Sequence, residues 1–367
     1  MHFIGTFLFT FLFCSSALAA RVAVLAPQSG DGAMFGKELV EGVKIAVDVI
    51  NEAGGLLGEK VELMNVDDLC EESASVKETQ MMSLASKQGE DKINLVIGPY
   101  CNDGFKEVSD IAAKNKILRI VPQALSRELY DYNATGLYKI GGKISDQAKS
   151  FFEFYKDKWI DKSLAVVYDS EDVAFYEVAS ELQNLMLQND LANRITLYDF
   201  AAYKKYKKMA KEILLNNKVV YILGNKRKIA NLAQYLQEED ENITIVVDSY
   251  MAVEYFFKEM GNFAEGIYFL RLNNQKSNAE FTKELVKLRI KNREPYGMGV
   301  FGYTAVMLWH DMVKKAKSFD AAIIDKSVEH NYWQLPWGKI KFQQGKAEKT
   351  GGWSIYLLQE GDYAQVY

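Results

Sequence analysis

Short apolar runs alternate along this chain with longer stretches whose apolar residues recur every three to four positions. The runs at 21–26, 61–66, 93–97 and 117–121 read as strands, the first of them buried. Between the first two, residues 36–53 carry Leu39, Val43, Ala46, Val47 and Ile50 on one face at helical spacing. Gly54-Gly55 then stops the helix, as residues in the left-handed region do. Helices are also predicted at 72–87 and 105–115. A short strand within 137–143 runs into Gly141-Gly142, and a second series begins there. Its helices fall at 146–159, 175–189, 203–215 and 226–239, and its strands at 163–168, 194–200, 218–223 and 243–247. Strands alternating with helices in this way mean βαβ units and a parallel sheet. The fold class is therefore α/β, with two doubly wound parallel-sheet lobes. A strand at 266–270, helices at 279–291 and 299–317, and strand-like segments at 338–342 and 353–358 come late. A sheet that uses them makes the chain cross between lobes more than once.

The length of 367 residues fits two domains. With 49% hydrophobic and 25% charged residues the composition is that of a globular protein, and a net charge of −5 argues against nucleic acid or an anionic membrane as partner. Residues 1–19 differ in kind. Phe7 to Cys14 is almost unbroken apolar sequence, and Ala17-Leu18-Ala19 is a small-x-small cleavage site, so a secretory signal peptide cut before Ala20 is expected. Its n-region lacks Lys and Arg, and no lipid-attachment pattern surrounds Cys14. No later segment reaches the ~18 uninterrupted apolar residues of a membrane span.

Beyond the leader two cysteines remain, Cys70 and Cys101. An even count in an exported chain reads as one disulfide, the alternative being two buried free thiols. Each cysteine follows a predicted strand, in Asp67-Asp68-Leu69-Cys70 and in Ile97-Gly98-Pro99-Tyr100-Cys101. Two strand ends lying side by side would bring them within bonding distance. Asp67 and Asp68 have no histidine or third carboxylate at metal spacing, so a loop-capping role is expected of them, and no metal or other cofactor. Gly297-Met298-Gly299-Val300-Phe301-Gly302 matches G-x-G-x-x-G but follows no convincing strand, so close helix packing is the expected reason for its glycines. The lysines from Lys204 to Lys211 fall on an exposed helix face. No nucleophile motif, P-loop or zinc-protease motif occurs, and an enzyme is not expected.

The loops after strands are the strongest functional feature. Asn102, Asp103 and Gln123 follow predicted strands of the first series, as do Ser29 and Ser126. Asp172 and Asn225 follow strands of the second. Ligands in open α/β sheets bind at such strand ends, and these side chains can face a small solute held between two lobes.

The exported chain, the two lobes, "DDLC" at 67–70 and "IGPYC" at 97–101 resemble the leucine/isoleucine/valine-binding proteins, the periplasmic solute-binding components of ABC importers. The stretch from Val22 to Leu63 and the stretch "IAAKNKILRIVPQA" at 111–124 are similar to that family too. The resemblance implies a type I periplasmic binding protein, a monomer whose lobes are joined by a three-segment hinge, with crossovers near 139–143, 270–272 and 334–338. Residues 20–141 and 272–334 would form the first lobe, and 142–271 with 335–367 the second. It implies capture of an amino acid of the branched-chain type by cleft closure and delivery to ABC permease subunits. A sensing module of the same fold feeding a membrane receptor, or a binder of an amide or urea, is the alternative.

Carried over by position, Phe35 and Phe301 are aromatic walls. Asn102 replaces the serine that holds an α-carboxylate, and Ala124 and Leu125 replace a small-residue/threonine pair. Val173 or Ala174 stands where an aromatic covers the ligand. Tyr250 stands at the acid that pairs with the α-ammonium, so Asp248, Asp172 or Asp103 takes that role or the ligand is not a free α-amino acid.

Overall fold

The computed structural model describes residues 19–30, 32–88, 92–248, 260–272 and 279–367. Residues 1–18 of the expected leader and Tyr250 lie outside them.

The first series folds as strand β1 (Ala20–Leu25), helix α1 (Ala33–Glu52), β2 (Val61–Val66), α2 (Glu72–Gln88), β3 (Ile93–Ile97), α3 (Phe105–Lys114), β4 (Leu118–Val121), the short α4 (Arg127–Asp131) and β5 (Leu137–Lys139). The second series is α5 (Asp146–Trp159), β6 (Leu164–Tyr168), α6 (Val173–Gln188), β7 (Ile195–Asp199), α7 (Tyr206–Leu214), β8 (Val219–Ile222), α8 (Lys226–Glu239), β9 (Thr244–Val247) and β10 (Tyr268–Leu272). Helices α9 (Ala279–Ile290), α10 (Met298–Ala316) and α11 (Ala321–Val328) follow. The chain then forms strands β11 (Tyr332–Leu335), β12 (Gly338–Gln343), β13 (Lys346–Ala347), β14 (Trp353–Gln359) and β15 (Asp362–Gln365).

Two sheets result. One runs β11-β12-β13-β5-β4-β3-β1-β2 and the other β15-β14-β10-β9-β8-β6-β7. Their parallel parts share one order, β2-β1-β3-β4-β5 in the first and β7-β6-β8-β9-β10 in the second, so each lobe is doubly wound as the alternating pattern required. The central strands are apolar on both faces because helices cover both. Val22, Val24, Leu95 and Ile97 are fully buried on one face, and Ala23, Leu25 and Val96 on the other.

The chain passes between the sheets after β5, after β10, and between β13 and β14. The third passage falls at 348–352, not at 334–338, so residues 335–347 belong with the first sheet. The antiparallel ribbon β11-β12-β13 reaches β5 through the pair Lys346↔Lys139, and the Lys139 N–H donates to the Gly345 carbonyl at 2.7 Å. A strand of two residues leaves no alternation to read in a sequence, which is why the boundary was misplaced.

Helices α1 and α10 meet at backbone contact. A Cβ on Gly42 would fall 1.9 Å from the Gly299 carbonyl oxygen, and one on Gly302 would fall 2.4 Å from the Leu39 carbonyl oxygen. The glycine motif at 297–302 thus serves helix packing, as its context implied. On α7, Lys207 and Lys211 reach within 3.8 and 3.6 Å of Glu239 on α8, so part of the basic face is an ion-paired helix surface.

Lys139 is buried under the ribbon, its Nζ donating to the carbonyls of Tyr130, at 2.7 Å, and Tyr132. Burial, and then the nearby Lys346 charge, push its pKa from 10.5 down to about 8. Between these values the unfolded chain holds a proton that the folded chain has released, so this group's contribution to stability rises with pH across that window. Urea unfolding of wild type and Lys139→Met at pH 7 and pH 10 is expected to show wild type gaining on the variant at the higher pH. An unchanged gap would mean that the ammonium is not desolvated.

Candidate functional site

The loops at the carboxyl ends of the two parallel sheets face each other. In each sheet, connections leave the two central strands toward opposite faces, β1 and β3 in the first and β6 and β8 in the second, and that divergence opens a crevice. A cleft of about 560 Å³ lies there. The first lobe supplies Phe35 from α1, Tyr100 to Asp103 from the loop after β3, and Gln123 and Ala124 from the loop after β4. Helix α10 adds Met298 and Phe301. The second lobe supplies Glu171, Asp172 and Val173 at the start of α6, and Asn225 and Lys226 at the start of α8. Arg271 and Leu272 from β10 and Trp353 from β14 complete it beside two of the inter-lobe passages.

The first-lobe wall is tightly specified. Cys70 and Cys101 form a disulfide with Cα atoms 5.3 Å apart. The strand ends are not neighbours, however, since β1 lies between β2 and β3. The loops after β2 and β3 instead reach across the end of β1, and the bridge closes over it. There the Tyr100 N–H donates to the Leu25 carbonyl at 3.1 Å. Asp67 caps the neighbouring loops as expected. One carboxylate oxygen accepts from the Gln28 and Leu69 N–H groups at 2.9 and 3.1 Å, and the other from the Ser29 hydroxyl at 2.9 Å. Burial acts upward on this carboxyl, but those hydrogen bonds outweigh it and its pKa is lowered. Asp68 is fully buried, which raises its pKa against the pull of the Cys70 N–H.

Arg119, buried in β4, anchors the loop that carries Asn102. Its guanidinium donates to the Gly98 carbonyl at 2.5 Å, to the Phe105 carbonyl at 2.8 Å and to the Ser109 hydroxyl, and it lies 4.2 Å from the Phe105 ring centroid. Burial lowers its pKa to about 9, which leaves it charged at neutral pH. Gln123 pins the same loop from the other side, donating through Nε2 to the carbonyls of Pro99 and Tyr100 at 2.6 and 2.9 Å.

Of the residues singled out from sequence, Phe35, Asn102, Asp103, Gln123, Ala124, Asp172, Val173, Asn225 and Phe301 line the cleft. Leu125 does not. Its side chain is fully buried among Phe105, Val121, Leu129 and Leu137, because its backbone pairs with Gly142 and turns the side chain into the lobe. Asn225 also caps α8, accepting the Lys228 N–H at 3.0 Å, and Asp172 caps α6, accepting the Ala174 N–H at 2.8 Å. Loss of solvent raises the Asp172 pKa; the N–H groups of Ala174 and Phe175 oppose this, and the charges of Asp169 and Asp103 add to it. Asp248 is fully buried and is not among the lining residues.

Sequence reasoning missed Tyr100, Phe175, Lys226, Arg271 and Trp353. Tyr100 stacks on Phe35 with ring centroids 6.1 Å apart and planes at 13°. Its place inside "IGPYC" was a usable signal. Arg271 and Trp353 are neighbours only through the antiparallel pairing of β10 with β14, in which Leu272 faces Trp353. Nothing local announces that pairing.

Two doubly wound lobes, three linking passages and one cleft between strand ends define a two-lobed α/β protein built to enclose a small solute. The sequence pattern of the periplasmic binding proteins matches residues 19–362, and the chain belongs to that family. It is 24% identical over 343 residues to the Leu/Ile/Val-binding protein BraC3 of Rhizobium johnstonii, spanning 93% of this chain and 92% of that one. The substrate binding protein LivJ of the Streptococcus pneumoniae branched-chain amino acid transporter, solved in complex with isoleucine, has the same fold. Its TM-score is 0.77 at 19% identity, over 95% of this chain and 99% of that one. A solute binding protein of an R. palustris ABC transporter, solved in complex with benzoate, superposes with a TM-score of 0.74 at 18% identity, over 95% of each chain.

Proposed function

We propose that this chain is the periplasmic capture subunit of an ABC importer. It takes a branched-chain amino acid or a related small organic solute by closure of its two lobes and delivers it to permease subunits as a monomer. The observation that carries this reading is the cleft itself. Its walls come from the strand ends of both sheets, so one solute can touch both lobes and favour the closed form over the open one. The lining suits a partly apolar solute. Phe35, Phe301, Met298, Leu272 and Trp353 are all buried side chains that reach the cleft, beside polar groups from both lobes that can fix a solute's orientation. The apolar leader with its cleavage site before Ala20 and the disulfide agree with export to an oxidising compartment.

A thermal-shift screen of residues 20–367, refolded to strip carried-over solute, tests it. A solute at 100 times its dissociation constant adds about 2.7 kcal/mol of stability, well within the reach of such a screen. A shift with leucine, isoleucine, valine or another small organic solute is the expected result. No shift with amino acids, amides, organic acids, amines or nucleobases would overturn the capture reading.

A further inference from the structure

We infer that Arg271 is the cleft's carboxylate-binding residue and that the captured solute is an apolar molecule bearing a carboxylate. This rests on the capture reading above and names what the cleft selects. Phe35, Met298, Phe301, Leu272 and Trp353 are buried apolar side chains of the cleft lining, and Arg271 lines it beside them, next to Leu272 in β10 and close to Gly297. That side chain is 25% exposed, so the guanidinium is largely withdrawn from bulk water yet open to the cleft. Among the described residues it donates no hydrogen bond. It faces Glu38, with Nη2 3.6 Å from Oε2, beyond hydrogen-bond length. Five N–H donors in a rigid fork, half sheltered from water, are matched by the two oxygens of a carboxylate.

Glu38 does not consume that charge. The same Oε2 accepts the Met298 N–H at 2.8 Å, at the first turn of α10, where the helix dipole is positive. The carboxylate is therefore shared between a helix start and the guanidinium. Gly297 makes the arrangement possible. It has φ +52°, and a Cβ there would fall 2.0 Å from Glu38 Oε2 and 2.6 Å from Arg271 Nη2. Glu38 and Gly297 are thus positioning residues for Arg271. Of the acids that line the cleft, Asp103 and Glu171 are exposed, and the Asp172 carboxylate caps α6. A solute whose carboxylate met those acids first would be repelled. One entering apolar body first and turning its carboxylate to Arg271 would be held between Phe35 and Phe301.

The test is calorimetric titration of matched acid and amide pairs: leucine with leucinamide, benzoate with benzamide, and 4-methylpentanoate with 4-methylpentanamide. Wild type, Arg271→Gln and Arg271→Lys are compared, with circular dichroism and the unliganded melting temperature as folding controls. At least one acid is expected to bind wild type on the order of 10- to 100-fold more tightly than its amide, as a charge-assisted hydrogen-bonded pair does. Arg271→Gln should lose about that factor, and Arg271→Lys should keep part of it as a point charge without the fork. Acid and amide binding alike overturns the inference, as does an Arg271→Gln variant that binds acids like wild type. If Arg271→Gln does not fold, the acid–amide ratio in wild type and the Arg271→Lys titration decide. Binding confined to amines or neutral solutes sinks the carboxylate assignment while leaving capture intact; silence from every solute counts against capture itself.

Discussion

Gly42→Leu is expected to leave the first lobe unfolded, and Gly42→Ala to destabilise it by at least ~3 kcal/mol, at the upper end of what overpacking costs. The usual overpacked side chain is accommodated by rotamer shifts in its neighbours. Here the obstacle is backbone: the Cβ would sit 1.9 Å from the carbonyl oxygen of Gly299 and 2.5 Å from its carbon. Relief requires α1 and α10 to move apart. These helices carry Leu39, Val43, Val306 and Trp309, all fully buried, so separation would open the lobe's main apolar interface. Urea unfolding followed by circular dichroism measures the effect. A Gly42→Ala protein with the wild-type midpoint would show that the two helices do not touch at this point.

The double variant Cys70→Ser/Cys101→Ser should lose about 3–4 kcal/mol, the chain-entropy value for closing a loop of this length, given a sequence separation of 31 residues. It should also weaken solute binding. Both cysteines line the cleft, and the bridge holds the loop that presents Tyr100, Asn102 and Asp103 over the end of β1. Release of that loop adds an ordering cost to every binding event. The two effects are separable: unliganded unfolding reports the first, and titration well below the melting temperature reports the second. Mass spectrometry showing two free thiols in the exported wild-type protein would remove the basis for both.

Much of the candidate site was legible because its residues occupy the ends of strands that announce themselves. Ile93–Ile97 is apolar but for Asn94, so Asn102 and Asp103 could be placed after it without a structure. Gln123 and Ala124 follow β4 in the same way. Leu125, one residue further, shows the limit. Whether a side chain after a strand turns to the cleft or to the core depends on which backbone it pairs with, and its partner, Gly142, lies 17 positions away. Arg271 and Trp353 were out of reach for a related reason. They meet only because β14 returns antiparallel to β10.

The sequence by itself determined the class of fold, the two-lobe division, the capping role of Asp67 and the packing role of the 297–302 glycines. Each of these rests on periodicity or on local chemistry within a few residues, where short-range sterics and hydrogen bonding dominate. The tertiary structure alone decided three things. It set the disulfide across β1 rather than between neighbouring strands, and it assigned 335–347 to the first sheet. It also set the guanidinium of Arg271, which lines the cleft, against Glu38. These depend on strand order and on side chains far apart in sequence, which only the packing of whole lobes brings within a few ångströms of one another.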